Sequence, residues 1–205
     1  MGRYLGPKNR IARRLGYNVF GRARNPLIHK PNPPGQHGAR RKKKSDYGEQ
    51  LEEQQKLRME FGFLSRRKLV SLFREVRKKK GDVATLLLQS LECRLEIAVW
   101  RLKFAATASA ARQLVSHRHV LVNGKVVDRA SFRVRPGMVI SLKSKRKEGK
   151  DVQESIEDGS RSVPVYYDFD QGNGEGRLLS LPEVDLIPVV SVNVPLVCEF
   201  LAHTT

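Results

Sequence analysis

The sequence predicts an α+β protein made of a basic N-terminal arm, a small all-α subdomain, and a domain of two helices plus a small antiparallel sheet. Three observations predict this class. Apolar residues recur at helical spacing through residues 46–115, which is typical of amphipathic helices. An Asn-Gly pair at 123–124 separates two short apolar runs, the strongest short signal of a β-hairpin. Residues 1–44 show no sustained period, which predicts an arm.

The predicted arm, residues 1–44, carries 13 basic and no acidic side chains. Four prolines interrupt its second half. A segment of this charge and proline content buries too little apolar surface to fold alone. It is therefore expected to contain at most one short helix, around Lys8 to Leu15, and to be mostly disordered in the free protein.

The predicted helical subdomain covers residues 45–90, and the C-terminal segment 190–205 is expected to join it. Three helices are predicted in 45–90, each with a short oxygen-bearing side chain at its start that can accept hydrogen bonds from free backbone N–H groups. The predicted caps are Ser45 or Asp46, Ser65 and Asp82. A last helix is predicted over residues 193–202, with a proline in its first turn, where the missing N–H costs nothing.

The third predicted domain, residues 91–189, opens with two helices. In the first, residues 91–102, leucine, alanine and valine side chains share one face. Four charged residues are expected outside that face: Glu92, Arg94, Glu96 and Arg101. Thr107 is the predicted cap of the second helix. On that helix Arg112, Ser116 and Arg118 are expected to face outward.

Strands are predicted beside the Asn123-Gly124 turn and in four later segments. Those segments are Ser131–Val134, Met138–Lys143, Val163–Phe169 and Leu178–Leu181. The glycine-rich run 172–176 is similar to a phosphate loop, but no helix follows it and acidic residues flank it, so it predicts a turn. The basic run 143–147 leaves two interpretations open, a solvated loop or an RNA contact.

Charge is distributed unevenly along the chain, whose formal net charge is +18. Residues 91–147 hold 13 basic and 3 acidic side chains, whereas residues 148–205 hold 3 basic and 11 acidic. A strong excess of cations favours a polyanionic partner. We therefore expect nucleic acid to meet the arm and residues 91–147, and the acidic last quarter to face protein or solvent. No apolar run approaches the ~20 residues of a membrane span, so no membrane partner is expected.

No catalytic pattern stands out. Two cysteines, Cys93 and Cys198, are too few for a disulfide framework or a cysteine zinc site. The five histidines include the close pair His117 and His119, which has no acidic neighbour in sequence. Walker, metalloprotease and nucleophile-elbow patterns are absent. We expect no enzyme activity, no cofactor, no metal and no small-molecule substrate.

Three short sequence motifs, in this order along the chain, resemble those of a known family. They are Leu91-Glu92-x-Arg94-Leu95, Ala111-Arg112-Gln113-Leu114-Val115-Ser116-His117 and Val122-Asn123-Gly124-Lys125-Val126-Val127. This pattern resembles the RNA-binding domain of bacterial and plastid ribosomal small-subunit protein four. Family members usually carry glycines on both sides of the connector phenylalanine, where this chain has Lys103 and Ala105.

Two further motifs extend the resemblance to the N-terminus. They are Met1-Gly2-Arg3-Tyr4-Leu5-Gly6-Pro7-Lys8 and Pro34-Gly35-Gln36-His37-Gly38-Ala39-Arg40. Both closely resemble the N-terminal region of the same ribosomal family. Some members hold this region together with a four-cysteine zinc site, but no cysteine precedes Cys93 here. The arm is therefore expected to be ordered by RNA or by packing.

The resemblance implies a structural role in the small ribosomal subunit. It implies direct, early binding of 16S-type rRNA that nucleates assembly of the subunit body, a position near the path by which mRNA enters, and an influence on translational accuracy. It also implies contacts with the neighbouring small-subunit proteins five and three. The expected location is the cytoplasm, or the stroma or matrix if the chain is organelle-encoded.

Arginine and lysine side chains are expected to bind phosphates, and serine, asparagine and histidine side chains to bind sugar or backbone, because A-form RNA is recognised through shape, phosphates and 2′-hydroxyls. The residues expected to contact RNA are Arg3, Tyr4, Lys8, Arg13, Arg14, Gln36, His37, Arg40, Arg41, Lys43, Lys44, Tyr47, Arg94, Arg112, Gln113, Ser116, His117, Arg118, Asn123, Gly124 and Lys125.

Two other functions use the same domain. An RNA-modifying enzyme such as a pseudouridine synthase would need a large catalytic domain after the hairpin, and the remaining residues are too few for one. The function of a stress protein that binds free ribosomal subunits would not explain the two N-terminal motifs. Retention on the small subunit through a high-salt wash distinguishes these alternatives.

Overall fold

A computed structural model describes residues 4, 6–20, 25–40, 43–188 and 192–204 of the chain. Two compact units form, one from the described part of residues 1–78 and 189–205, the other from residues 79–188. The predicted domain boundaries after residues 44 and 90 stay predictions. Packing groups the arm with the helical subdomain, and it groups the helix at 83–92 with the second unit.

Ten α-helices and five strands lie in the described residues. The helices are α1 Lys8–Leu15, α2 Pro26–His29, α3 Asp46–Glu60, α4 Arg66–Val76, α5 Val83–Glu92, α6 Leu95–Arg101, α7 Ala108–Ser116, α8 Ser144–Lys147, α9 Lys150–Glu157 and α10 Val194–His203. The strands are β1 Val120–Val122, β2 Lys125–Val126, β3 Val139–Leu142, β4 Tyr167–Asp170 and β5 Glu175–Leu178. A 3₁₀ turn spans Val184–Leu186. This arrangement confirms the predicted α+β class.

The predicted helix caps of the first unit are confirmed. Ser45 accepts a hydrogen bond from the Gly48 N–H at the start of α3, and Ser65 accepts one from the Lys68 N–H at the start of α4. Asn193 does the same for α10, which carries its proline in the first turn. These local contacts satisfy donors that a helix cannot pair internally.

The arm contains more structure than the sequence predicts. Its expected helix α1 buries Ile11, Ala12 and Leu15. The expectation of at most one helix is wrong, because α2 follows it, with Asn25 accepting from the Leu27 N–H and a proline at the first helical position. A side-chain cap and a preset proline φ can start a helix as short as this one.

The core of the first unit forms where α10 packs against α3 and α4. Leu57, Phe61 and Leu69 are buried there, as are Phe200 and Leu201 of α10. The Asn193 N–H also donates to the Glu53 carboxylate at 2.7 Å. The C-terminal helix is thus built into the same core as α3 and α4.

The predicted helix from residue 91 to 102 is broken at Cys93 and Arg94. These two residues end α5 and begin α6. The Leu95 N–H donates to the Phe132 carbonyl at 2.9 Å, and the Val134 N–H donates to the Cys93 carbonyl at 2.8 Å. Backbone pairing with residues 130–134 therefore uses N–H and carbonyl groups that would otherwise form hydrogen bonds within one continuous helix. The same segment was predicted as a strand over Ser131–Val134, but it forms only an isolated bridge between Arg94 and Arg133.

Between α6 and α7 the connector turns sharply. Lys103 has φ 63°, in the left-handed region that favours glycine. The Lys103 carbonyl accepts from the Ser155 hydroxyl at 2.7 Å. Helix α6 therefore stops at Arg101 even without the glycine. Thr107 then caps α7 as predicted, accepting from the Ala110 N–H.

All strand pairs are antiparallel, in the order β2-β1-β3-β5-β4. The predicted hairpin and the strand around Ile140 are confirmed. The last two strands are shifted from their predicted positions, and part of the glycine-rich run belongs to β5. A Cβ atom at position 176 would overlap the Leu102 side chain. A glycine in the strand lets α6 pack closely on the sheet.

The core of the second unit lies between the sheet and the two helices α6 and α7. Leu95, Val99 and Leu102 of α6 are buried against the sheet residues Ile140 and Leu178. Helix α7 adds Ala111, Leu114 and Val115 to the same cluster. In the described residues, no helix is long and apolar enough to cross a membrane.

Candidate RNA interface

The C-terminal half of α7 and the residue after it present a polar row on a rigid base. Leu114 and Val115 are buried in the core, which holds the helix in place. Gln113, Ser116 and His117 are exposed on its other side. Arg118 follows at φ 62°, with a side chain 71% exposed and a 3.1 Å ion pair to Asp128. An exposed pair of this kind contributes little to stability, so the guanidinium can exchange it for a phosphate.

The hairpin tip presents a further exposed cation in the same unit. Asn123 and Gly124 have φ values of 49° and 75°, as the predicted two-residue turn requires. Asn123 is locked to β3, because its Oδ1 accepts from the Val139 N–H at 2.9 Å and its own N–H donates to the Val139 carbonyl at 2.8 Å. Lys125 is exposed beside it. The side-chain oxygen of Asn123 thus shapes the turn, while Lys125 remains open to a ligand.

Arg94 and Arg112 do not lie on an open face as expected. Glu96, with a fully buried side chain, accepts from Arg94 through Nε at 2.9 Å and Nη2 at 2.7 Å. Arg112 Nε donates to the other oxygen of Glu96, and its side chain is 24% exposed. The expectation that Arg94 and Glu96 lie outside the apolar face is wrong, and Arg112 is only partly free. Buried charges need such partners to offset their lost hydration.

Glu92 and Arg101 were also expected outside the apolar face, and that expectation is wrong as well. Glu92 is fully buried and accepts from Arg101 Nε at 2.7 Å and from the Tyr166 hydroxyl at 2.8 Å. Burial, followed by the neighbouring Glu92 carboxylate, raises the pKa of Tyr166 well above its ordinary value. Glu92 and Arg94, the charged residues of the first sequence motif, therefore form ion pairs inside the second unit.

Several cations outside the set of residues expected to contact RNA are exposed in the same unit. Arg129 and Arg135 flank the segment that pairs with residues 93–96, and Lys143 follows β3. The pKa of His119 is lowered by burial first, and then by Arg146, His117 and Lys143. These groups create a positive potential beside the end of α7. The signal in the sequence was the high density of cations in 91–147.

Basic side chains of the arm divide into two groups. Arg13 Nε donates to the carbonyls of Lys30 at 3.1 Å and Asn32 at 3.0 Å, and Arg14 donates to Gln55. These two arginines hold the arm in its fold. The arm side chains that are expected to meet RNA and are exposed are Tyr4, Arg14, Gln36, His37, Arg40, Lys43 and Lys44, and Lys44 also pairs with Glu52 at 2.6 Å. Arg3 and Arg41 lie outside the described residues.

Aromatic side chains at the start of the chain stack on one another. The Tyr4 and Phe20 rings lie 5.2 Å and 5.1 Å from the Phe63 ring, and Lys8 Nζ lies 5.9 Å from its centroid. Tyr47 remains 59% exposed. Stacking on Phe63 therefore positions Tyr4 and Lys8, whereas Tyr47 presents most of its surface to a partner.

Metal-ligating side chains do not gather in the part of the chain that the structure describes, where no group of three or more His, Cys, Asp or Glu residues could hold an ion. Cys93 is buried and Cys198 partly so, and the two do not form a disulfide. Burial raises the pKa of Cys93 to about 11. The arrangement offers cations and hydrogen-bond donors on a rigid surface, which suits recognition of phosphate and sugar.

Comparison with known proteins gives a consistent result over the whole chain. Residues 3–92 match the family model described as the ribosomal protein S4/S9 N-terminal domain, and residues 93–140 match the S4 domain. The small ribosomal subunit protein uS4 of Chlamydia caviae is 56% identical over 209 residues, covering 100% of both chains. The proteins of that name from Protochlamydia amoebophila and Chlamydia trachomatis are 52% and 56% identical, again over 100% of both chains.

Proposed function

The chain belongs to the uS4 family of small ribosomal subunit proteins, and from this premise we propose that it binds 16S-type rRNA directly and early, nucleating assembly of the subunit body. Its second unit carries the S4 RNA-binding domain. The family is one of structural ribosomal proteins, not of enzymes.

One observation carries the proposal. Helix α7 and the hairpin present Gln113, Ser116, His117, Arg118 and Lys125 together on one rigid unit, with the intervening apolar residues buried. A rigid row of donors and cations fits the phosphates and 2′-hydroxyls of folded RNA, whose base edges are hidden in a deep groove. Arg94 has no part in this surface, because its guanidinium is committed to Glu96.

The arm supplies a second group of contacts. Its described exposed residues include His37, Arg40 and Lys43, in a segment with no acidic side chain. Binding of phosphates by such a segment releases condensed counterions, which drives association at low salt. The run from residue 40 to 44 is proposed to reach the path by which mRNA enters the subunit.

Protein neighbours are proposed for the acidic last quarter. Val165, Leu179, Leu181 and Leu186 are between 44% and 71% exposed there, among Asp and Glu side chains that repel phosphate. Apolar groups ringed by charge are typical of protein interfaces. Small-subunit proteins five and three are the proposed neighbours, and through them the chain is proposed to influence translational accuracy in the cytoplasm.

Binding to 16S rRNA over a range of salt concentrations tests the proposal. Replacing Arg118 or Lys125 by Gln removes one phosphate contact, so the slope of log affinity against log salt should become shallower by about 0.7–0.9. Lys150→Gln is the matched control, since Lys150 is exposed on the acidic segment and should leave the slope unchanged. Weak rRNA binding that is independent of salt would contradict the proposed function.

A further inference from the structure

A cavity of about 330 Å³ lies in the second unit beside the C-terminal half of α7. The connector after α6 forms one side and α8 with the start of α9 forms the other. Its lining residues are Phe104, Ala105, Ala106, Ala110, Gln113, Leu114, His117, His119, Arg146 and Asp151. The roughly 300–1,000 Å³ range of small-molecule sites begins at this size, so the cavity suits a single small planar group.

The apolar wall of the cavity is held in place before any ligand arrives. Phe104 and Ala105 are buried. Arg161 Nη1 donates to the Ala105 carbonyl at 3.1 Å, and its Nη2 donates to the Ser155 hydroxyl at 2.9 Å. Ser155 in turn donates to the Lys103 carbonyl. Because these hydrogen bonds already fix the wall, ligand binding loses little conformational entropy in ordering it.

The opposite side of the cavity is polar. The His117 and His119 ring centroids are 6.2 Å apart. Arg146 pairs with Asp151 through Nη2. Gln113 and His117 are exposed and line the cavity, so a ligand can form a hydrogen bond with the first and stack on the ring of the second.

We propose that this cavity takes one unstacked nucleotide of the bound RNA, with its base against Ala106 and the exposed His117 ring and its polar edge toward Gln113. The proposal rests on the proposed function. Gln113 and His117 line the cavity and also belong to the exposed row of α7, so RNA on that row lies within reach of it. Splayed bases of unpaired RNA are the parts that proteins read by stacking and edge hydrogen bonds.

Chemical-shift mapping of the full-length protein with the four ribonucleoside monophosphates tests the site without any large RNA. We expect shifts of Ala106, Gln113 and His117 with a nucleotide, and much smaller ones with ribose 5-phosphate or inorganic phosphate. Equal shifts with all three probes would identify a phosphate site and overturn the proposal. No shift with any nucleotide at millimolar concentration would also overturn it.

Affinity for 16S rRNA supplies the second arm of the test. Ala106→Trp fills the cavity from an exposed position, and it should weaken rRNA binding roughly 5- to 100-fold, the loss of one stacked base. Ser180→Trp, at an exposed position outside the lining, is the control for added aromatic bulk and should change little.

These results separate the two proposals. Normal rRNA binding by a folded Ala106→Trp variant would overturn the nucleotide cavity and leave the proposed function standing. Failure of the unmodified protein to bind rRNA would instead contradict the proposed function itself.

Discussion

Glu96 accepts hydrogen bonds from two arginines inside the second unit. Glu96→Gln removes the negative charge and leaves the Arg94 guanidinium, 4% exposed, without a counterion. Breaking a buried pair in this way costs about 3–5 kcal/mol. Urea unfolding should show this loss, whereas Glu157→Gln on the exposed side of α9 should change stability by less than about 0.5 kcal/mol. Similar losses in the two variants would contradict the role assigned to Glu96.

His119 makes stability depend on pH. Its pKa is lowered below 6.5 by burial and by Arg146, His117 and Lys143, while Asp151 lines the same cavity and is paired with Arg146. A histidine whose folded pKa is lower than its unfolded pKa contributes stability above pH 6.5, and that stability is lost as pH falls through the folded value. Unfolding midpoints from pH 8 to pH 5 should therefore fall less in His119→Gln than in the unmodified protein. Equal pH profiles would refute this assignment.

At the scale of the element, the connector between α6 and α7 stores backbone strain. Lys103 is held at φ 63°, a conformation that costs an L-residue roughly 1–2 kcal/mol. Lys103→Gly should relieve it and stabilise the protein by about 1 kcal/mol, because the Ser155 bond to the carbonyl of residue 103 does not need a side chain there. Lys145→Gly, inside α8, is the control and should destabilise by about 1 kcal/mol. A loss of stability in both variants would show that position 103 is not strained.

Helix α1 changes what is expected of a chain that begins at Ser45. The sequence predicts a mostly disordered arm, whose removal would leave the core intact, but α1 buries Ile11 and Leu15 within the first unit. Removing them costs about 3–6 kcal/mol of burial at ~1.5–3 kcal/mol for each side chain. The shortened chain should keep the fold of the second unit and show a lower urea midpoint for the first. Amide exchange should likewise protect residues 11–15 in the free full-length protein, and an absence of protection there would favour a disordered arm.

At the scale of the whole molecule, charge separates RNA-facing from protein-facing segments. Glu183 and Asp185 are exposed at the 3₁₀ turn beside Val184 and Leu186, which are 37% and 44% exposed. Glu183→Lys or Asp185→Lys should weaken contact with a neighbouring ribosomal protein and change misreading in a translation reporter. Cross-links from this turn mainly to rRNA, in place of protein, would refute the assignment.

Local signals in the sequence determined the local elements. Ser45, Ser65 and Thr107 mark helix starts because capping is a contact within one turn of the backbone. The Asn123-Gly124 pair marks the hairpin because few other residues adopt two successive positive φ values. The family could likewise be recognised from short sequence motifs, since the side chains that shape a turn or line a helix face lie close together in the chain.

Only the tertiary structure decided which charged residues are available to RNA. Arg94 and Arg118 look alike in the sequence, yet one is buried against Glu96 and the other is 71% exposed. The difference arises because residues 93–96 pair with residues 130–134, which breaks the helix and turns its charged side inward. Helical periodicity cannot foresee a pairing across almost forty residues. The cavity beside α7 is of the same kind, because its walls come from segments that meet only when the sheet and helices have packed.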